Sequence, residues 1–483
     1  MQETLILDIE SLSHDGRGIA RLPMISGSNA SGRGLAVFVH GALPGQRVVC
    51  RILRRSPRLM EAVRERLLAS SPDIGQALCP HQTDCGGCPL QPMDYAAQLR
   101  WKKRLVLEAL VRIGRLDRGE LDSMLPLPFP SPRLTCFRNK MTFAFGQMAS
   151  GDIVLGLRRP FSAEILPTPG CVLMPPVAQD MVAVAQASAA RSGLPPLLIR
   201  HGRRSSPEGG GFWRFLTLRR GNGFDGQEHW WAICLTSPAS TTERAAVRKM
   251  GESLLAAFPK LAAFAHEERN RRDWISQGEN SVCCMKNAAY EEHSGTRMQL
   301  PLGGRTFACD IRSFFQVNTE AAQTLASLAC SMLYACAGKN SQLIDLYCGV
   351  GAPGQLAAHA FSRLTGVECD GLAASMASVN AQEAGLSHCR YLTGDAESYL
   401  DGLISEGDYV ILADPPRSGL ALPMTEKLLG LQPRGLVYIS CNATTLARDA
   451  ARLSDSYRLA CIACVDIFPH TPHAECCTLW LRR

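Results

Sequence analysis

The stretch YISCNATTLARD, residues 438–449, places Cys441 between a run of β-forming residues and a helical pattern. A thiol at the end of a strand and the start of a helix lies where the helix dipole favours thiolate, a good place for a nucleophile. The stretch PHTPHAECC (469–477) brings His470, His473 and Glu475 towards the same end of the chain's last strands. A thiolate and a carboxylate in one cleft beside a methyl donor would suit covalent C-methylation. An aromatic carbon such as C5 of uracil is a poor nucleophile, and attack by a thiolate on C6 turns C5 into an enolate carbon. The C5 proton must then leave before the thiol can, which needs a base such as Glu475, with His473 as its rival.

Three further stretches bear on the methyl donor. DLYCGVGAPGQ (345–355) reads as a strand, a Gly-rich turn and a helix whose first N–H groups are free for a ligand. GVECD then puts Glu368 at the end of a second strand, where a carboxylate can accept from both hydroxyls of a ribose. A ribose site with no phosphate-cradling sequence favours S-adenosylmethionine over a dinucleotide. ILADPPRSGL (411–420) ends another strand on Asp414, held by two prolines at the edge where α/β enzymes gather ligands. Far upstream, CPHQTDCGGCPLQ spaces Cys79, Cys85 and Cys88 as C-x5-C-x2-C, which with a distant fourth thiol predicts an iron–sulfur or a zinc site.

The elements that must position these residues follow from periodicity. QLIDLYC, RLTGVEC, CRYLTG, DYVILAD and GLVYISC are apolar strands, each followed by a helical stretch, which predicts a parallel doubly wound sheet. YRLACIACVDIF and CCTLWLRR end the chain as a hairpin. Residues 1–66 alternate in short strands broken by glycine turns, as in an OB-like barrel or another small β-barrel. YAAQLRWKKRLVLEALVRIGRL is an amphipathic helix, and residues 131–310 are mixed and strand-rich with a loop at 202–212. The expected units are 1–66, a central 67–310, and 311–483.

The 483 residues carry a net charge of +7, split as +4 over 1–66, +7 over 67–310 and −4 over 311–483, so the upstream units are expected to face a polyanion. The acidic, alternating start is unlike a secretory signal, and no apolar run reaches the roughly 18–20 residues of a membrane helix. Twenty cysteines in such a chain point to a reducing cytoplasm.

Together these residues resemble the RNA uracil-C5 methyltransferases over nearly the whole chain. The resemblance implies an N-terminal TRAM domain, an RNA-binding OB-fold, and a C-terminal class I methyltransferase domain with a Rossmann-like sheet. It implies a [4Fe–4S] cluster on Cys79, Cys85, Cys88 and Cys171, the last in TPGCVLMPP. Gln316 of FFQVNTE, Tyr347, Glu368, Asp414 and Asp395 of TGDAE would hold S-adenosylmethionine, with Cys441 the nucleophile and Glu475 of the H-x-E pattern the base. TRAM plus cluster is typical of the rRNA-modifying branch, so 23S rRNA is favoured over the T-loop of tRNA as the structured RNA partner. A monomer is expected. An RNA-binding iron–sulfur protein without catalysis is opposed by intact Cys441, Glu475 and Gln316. An amino-methyltransferase would normally carry an aromatic where Arg417 follows the prolines. The chain departs from the family at Ala443 and at Ala352-Pro353-Gly354.

Overall fold

The computed structural model describes residues 3–22, 34–160, 162–198, 211–287, 295–402 and 408–483. Positions 202–210 of the loop expected at 202–212 lie outside the described residues. The chain opens with a six-stranded sheet: β1 (Thr4–Asp8), β2 (Ser11–Leu12), β3 (Gly18–Arg21), β4 (Ala36–His40), β5 (Arg47–Arg55) and β6 (Leu59–Ala69), ordered β1-β5-β6-β4-β3-β2. Its interior is the apolar alternate set predicted by the pattern, including Leu7, Val37, Val39, Val48, Met60 and Ala62. Two further apolar residues, Leu12 and Leu43, point out of this small core. They pack with Leu90, Met93 and Ala97, so the barrel is seated on the chain that follows it.

Helices α1 (Tyr95–Arg112) and α2 (Arg118–Met124) come next. The central sheet is built from β7 (Lys140–Gln147), β8 (Ile153–Arg158), β9 (Ile165–Leu166), β10 (Trp213–Asn222), β11 (Glu228–Thr236), β12 (Leu261–Glu268) and β13 (Asn280–Lys286). β14 (Arg297–Leu302) and β15 (Arg305–Asp310) extend it as a hairpin through a contact to β10. Helices α3 (Pro176–Ser192) and α4 (Thr241–Ala257) cover one face. α4 starts with a capping box in which Ser240 and Glu243 exchange bonds with each other's backbone N–H.

The C-terminal sheet has seven strands. After α5 (Thr319–Cys336) come β16 (Gln342–Leu346), α6 (Ala352–Ala357), β17 (Arg363–Glu368), α7 (Gly371–Glu383), β18 (Cys389–Thr393) and α8 (Ala396–Leu400). β19 (Tyr409–Ala413), α9 (Leu422–Leu431), β20 (Gly435–Ser440), α10 (Ala443–Leu453), β21 (Tyr457–Val465) and β22 (Glu475–Arg482) complete it. The order is β18-β17-β16-β19-β20-β22-β21, with the first five strands parallel and the hairpin antiparallel. This is the doubly wound sheet with a terminal hairpin expected from the alternation. Strand β22 inserts between β20 and β21, so the chain's last strand is interior and carries the buried Trp480.

Helix α1 buries Val106, Leu107 and Leu110 in the core under this C-terminal sheet and packs along α10. No described helix is long and apolar enough to cross a membrane.

Leu90 is fully buried between the barrel's Leu12 and Leu43 and the start of α1. Truncating it should leave a cavity no neighbour can close. Leu90→Ala is expected to lower unfolding stability by about 2–4 kcal/mol, read from urea denaturation, and to expose the segment around residue 70 to limited proteolysis.

Candidate active site

The candidate site lies at the carboxyl edge of the parallel strands. β16 ends in a turn in which Tyr347, Gly349 and Gly351 all take positive φ, at 60°, 54° and 78°. Only the glycines hold that conformation freely, so Tyr347 is locally strained, as residues at ligand sites often are. The turn passes into α6. A side chain at Gly354 would meet Asp345 Oδ2 at 2.3 Å, so glycine there lets the helix close onto the strand. Pro353 falls in the first turn of α6, where its missing N–H costs nothing.

A cavity opens beside this turn, lined among others by Phe314, Gln316, Asp345, Tyr347 and Asp414. Glu368 is tied to the cavity through the lining residue Gly349, accepting from the backbone N–H of Gly349 at 3.0 Å and of Asp370 at 2.9 Å. Gln316, Tyr347, Glu368 and Asp414 are therefore brought together as the sequence predicted. Asp395 lies at the same edge, but its carboxylate caps α8, accepting from the Ser398 N–H at 2.8 Å. Asp345 is the residue that sequence reading passed over. It is fully buried, its Oδ2 has no partner, and burial, with the nearby charge of Asp414, pushes its pKa far above the carboxylate range. That oxygen lies against Gly354, whose backbone N–H offsets part of the rise, and Asp345 itself lines the cavity. The signal was present as the acid that opens DLYCGVG.

The candidate nucleophile and base meet through strand register. β20 and β22 pair antiparallel up to Ser440 opposite Cys476. Cys441 and Glu475, the next residue on each strand, therefore emerge side by side. Glu475 is buried, and its Oε2 has no hydrogen-bond partner. Burial pushes its pKa up, the charge of Asp414 adds to the rise, and Arg417 offsets part of it. Burial likewise raises Asp414.

Cys441 differs from the expectation that a helix start favours thiolate. Its thiol is pushed up to about 11, first by burial and then by the charges of Glu475 and Asp414, with Arg417 acting the other way. One helix terminus is outweighed by desolvation and two carboxylates. Arg417 thus acts electrostatically on both Cys441 and Glu475, a role the sequence reading did not give it. His473 has its pKa lowered to about 4, mainly by burial and by Arg417. Such an imidazole is a weaker base than a carboxylate whose pKa burial has raised.

Cys79, Cys85, Cys88 and Cys171, split across the chain, line one small cavity. The backbone N–H of His81 donates to the Cys79 sulfur and that of Gly87 to the Cys85 sulfur, each at 3.4 Å. Burial raises the thiols of Cys85, Cys88 and Cys171, and the buried guanidinium of Arg138 acts to lower Cys88 and Cys171. Among the described residues no three His, Cys, Asp or Glu side chains close around a single metal ion.

Residues 2–62 match the TRAM domain, and residues 292–483 match the family described as tRNA (Uracil-5-)-methyltransferase. An RNA methyltransferase of Nitratidesulfovibrio vulgaris, not further characterised, is 33% identical over 98% of this chain and 94% of its own. The chain belongs to the RNA uracil-5-methyltransferase family. A second such RNA methyltransferase, from Gloeobacter violaceus, is 29% identical over 98% of this chain and 95% of its own. The solved tRNA (uracil-54, C5)-methyltransferase of Pyrococcus abyssi, in complex with S-adenosyl-L-homocysteine, shares the fold with a TM-score of 0.72, at 22% identity and 99% coverage of both chains. The protein is accordingly an S-adenosylmethionine-dependent RNA methyltransferase whose barrel is a TRAM domain.

The electrostatics give a direct test. Alkylation of Cys441 by iodoacetamide, followed by mass spectrometry of its peptide, should keep accelerating from about pH 7 to about pH 10 and not level off near the ordinary thiol pKa of about 8.5. Arg417→Ala should slow it further by removing a charge that favours thiolate, and Glu475→Gln should speed it.

Proposed function

We propose that the protein forms 5-methyluridine in 23S rRNA through a covalent bond between Cys441 and uracil C6. The observation that carries this reading is the emergence of Cys441 and Glu475 side by side, next to the cavity lined by Gln316, Tyr347 and Asp414. The orphaned Asp345 oxygen, the close-packed Gly354 turn and the Glu368 carboxylate suit that cavity to an amino acid and a ribose, the two polar ends of S-adenosylmethionine.

Cys441, half-buried, loses its proton to the open side of the cleft, and the Arg417 charge favours the thiolate. The sulfur adds to C6, and the C5–C6 π pair moves into an enolate ending on O4. S-Adenosylmethionine, held in the cavity, would supply the methyl group: the C5 electron pair takes it as the methyl–sulfur bond breaks, and S-adenosylhomocysteine leaves. The Glu475 carboxylate then takes the C5 proton; that C–H pair re-forms the C5–C6 double bond as the C6–S pair returns to sulfur. A general base of raised pKa suits removal of a carbon-bound proton.

The four-cysteine cavity supports a [4Fe–4S] cluster. Cys79, Cys85, Cys88 and Cys171 are the thiols that would hold it, and the cluster would be structural there. Bound there, the cluster would cross-link the 79–88 segment to Cys171. This composition is the support for the rRNA branch. The tRNA T-loop is the rival substrate, and uridine mapping in a deletion strain decides between them: loss of 5-methyluridine from tRNA alone refutes the 23S assignment.

Four outcomes are expected. Anaerobically purified protein should contain four irons and four sulfides per chain, and stoichiometric zinc without sulfide would refute the cluster. Cys441→Ala should abolish both adduct and methyl transfer. Glu475→Gln should retain attack and methylation but slow release by about 10²–10⁴-fold, so that a methylated protein–RNA adduct survives denaturing electrophoresis. Because burial raises the Glu475 pKa, the fraction in the basic form still grows with pH beyond the ordinary carboxylate pKa of about 4.3, so the release rate of the native enzyme should go on rising through neutral pH.

A further inference from the structure

Between β21 and β22 the chain runs through Asp466–Ala474, a strap that leads directly into Glu475. Val465 is the register partner of Glu475, so Asp466 begins the strap beside the base's own strand position. The strap takes its hydrogen bonds chiefly from outside the C-terminal sheet. The Asp466 N–H donates to Phe129 O at 2.9 Å, and Asn318 Nδ2 donates to Ile467 O at 3.2 Å. Gln98 Oε1 accepts from the His470 N–H at 2.9 Å, and the Leu90 N–H donates to His470 O at 2.9 Å. His470 itself holds a φ of 70°, a conformation a non-glycine residue keeps only when its surroundings impose it.

At the root of the strap lies an ion pair. Lys102 of α1 and Asp466 are both fully buried and in direct contact. Lys102 Nζ also donates to Phe468 O at 2.9 Å, and the Tyr95 hydroxyl donates to the second Asp466 oxygen at 2.9 Å while accepting from the Ser131 N–H at 2.7 Å. A buried ion pair contributes little net stability compared with apolar residues of the same size, and in some proteins such a pair fixes a particular geometry. This one joins an upstream helix to the loop that leads into the strand carrying the candidate base.

We propose that Lys102 and Asp466, with Tyr95, are positioning residues that aim the Glu475 carboxylate at the C5 proton. They touch no reacting atom. Cys441 sits at the end of β20 and the start of α10, which among the described residues share none of the strap's hydrogen bonds, so its attack on C6 is expected not to depend on the strap. Losing the pair should therefore slow proton removal and leave adduct formation intact. The inference rests on the reading of Glu475 as base.

The test uses full-length protein, S-adenosylmethionine with a tritiated methyl group, and RNA extracted from cells lacking the enzyme. Removing Lys102 alone would strand a buried carboxylate, so the pair is replaced together as Lys102→Met with Asp466→Asn. The double variant should bind S-adenosylhomocysteine within about twofold of the native affinity and form the denaturation-resistant adduct at the native rate. It should release methylated RNA about 10-fold to 100-fold more slowly, the penalty of a reacting group displaced by about an ångström. Tyr95→Phe, which keeps the charges and removes one hydroxyl, should give the same pattern at smaller size and decides the matter should the double variant not fold. Release at the native rate, or an equal fall in adduct formation and release, overturns the proposal. Glu475→Gln runs alongside: if it accumulates adduct and the pair variants do not, only the positioning role falls. If it does not accumulate adduct, the base assignment and the positioning role fall together.

Discussion

The site depends on one strand pairing. β22, the last strand, lies between β20 and β21, antiparallel to both. Reversal of direction is what lets a residue at the start of one strand stand beside the residue just past the end of another. In a wholly parallel sheet, strand ends on one edge are all carboxyl ends, and a group at the beginning of a strand lies at the opposite edge. The inserted strand brings Glu475 to the edge where Cys441 and Asp414 already are.

That arrangement has an electrostatic consequence. Two carboxyls and a thiol share a poorly solvated corner, so burial pushes all three towards their neutral forms. Arg417, on the loop after β19, is the cation that moderates this for Cys441 and Glu475. Its backbone carbonyl accepts from Asn442 Nδ2 at 3.2 Å, which ties the arginine loop to the residue following the thiol.

The C-terminal sheet also does not stand alone. α1 fills its core with Val106, Leu107 and Leu110 and clamps the strap with Gln98 and Lys102, while the segment leading to α1 is seated against the TRAM barrel through Leu90 and Met93. Gly16 of the barrel fits against Pro89 and Pro472, where a side chain would meet Pro89 at 3.0 Å. The TRAM barrel, the segment leading to α1 and the strap are therefore packed in one continuous chain of contacts.

Much of this was legible in the chain itself. Alternation of apolar strands with helical stretches determined the doubly wound sheet and its hairpin, because period 2 and period 3.6 are local properties of the sequence. The same locality made the turn after β16, the acid ending β17 and the cysteine ending β20 recognisable, since each is set by a few neighbouring residues. What only the tertiary structure decided are the properties that depend on burial and on residues far apart in the chain. The Cys441 pKa rises where the helix start alone favours thiolate, because desolvation and the carboxylates of Asp414 and Glu475 outweigh one helix end. Asp345 gains its significance from an oxygen left unpartnered at a cavity, and Lys102 from a carboxylate 364 positions away. Such effects are sums over neighbours brought together by packing, and no window along the sequence contains those neighbours.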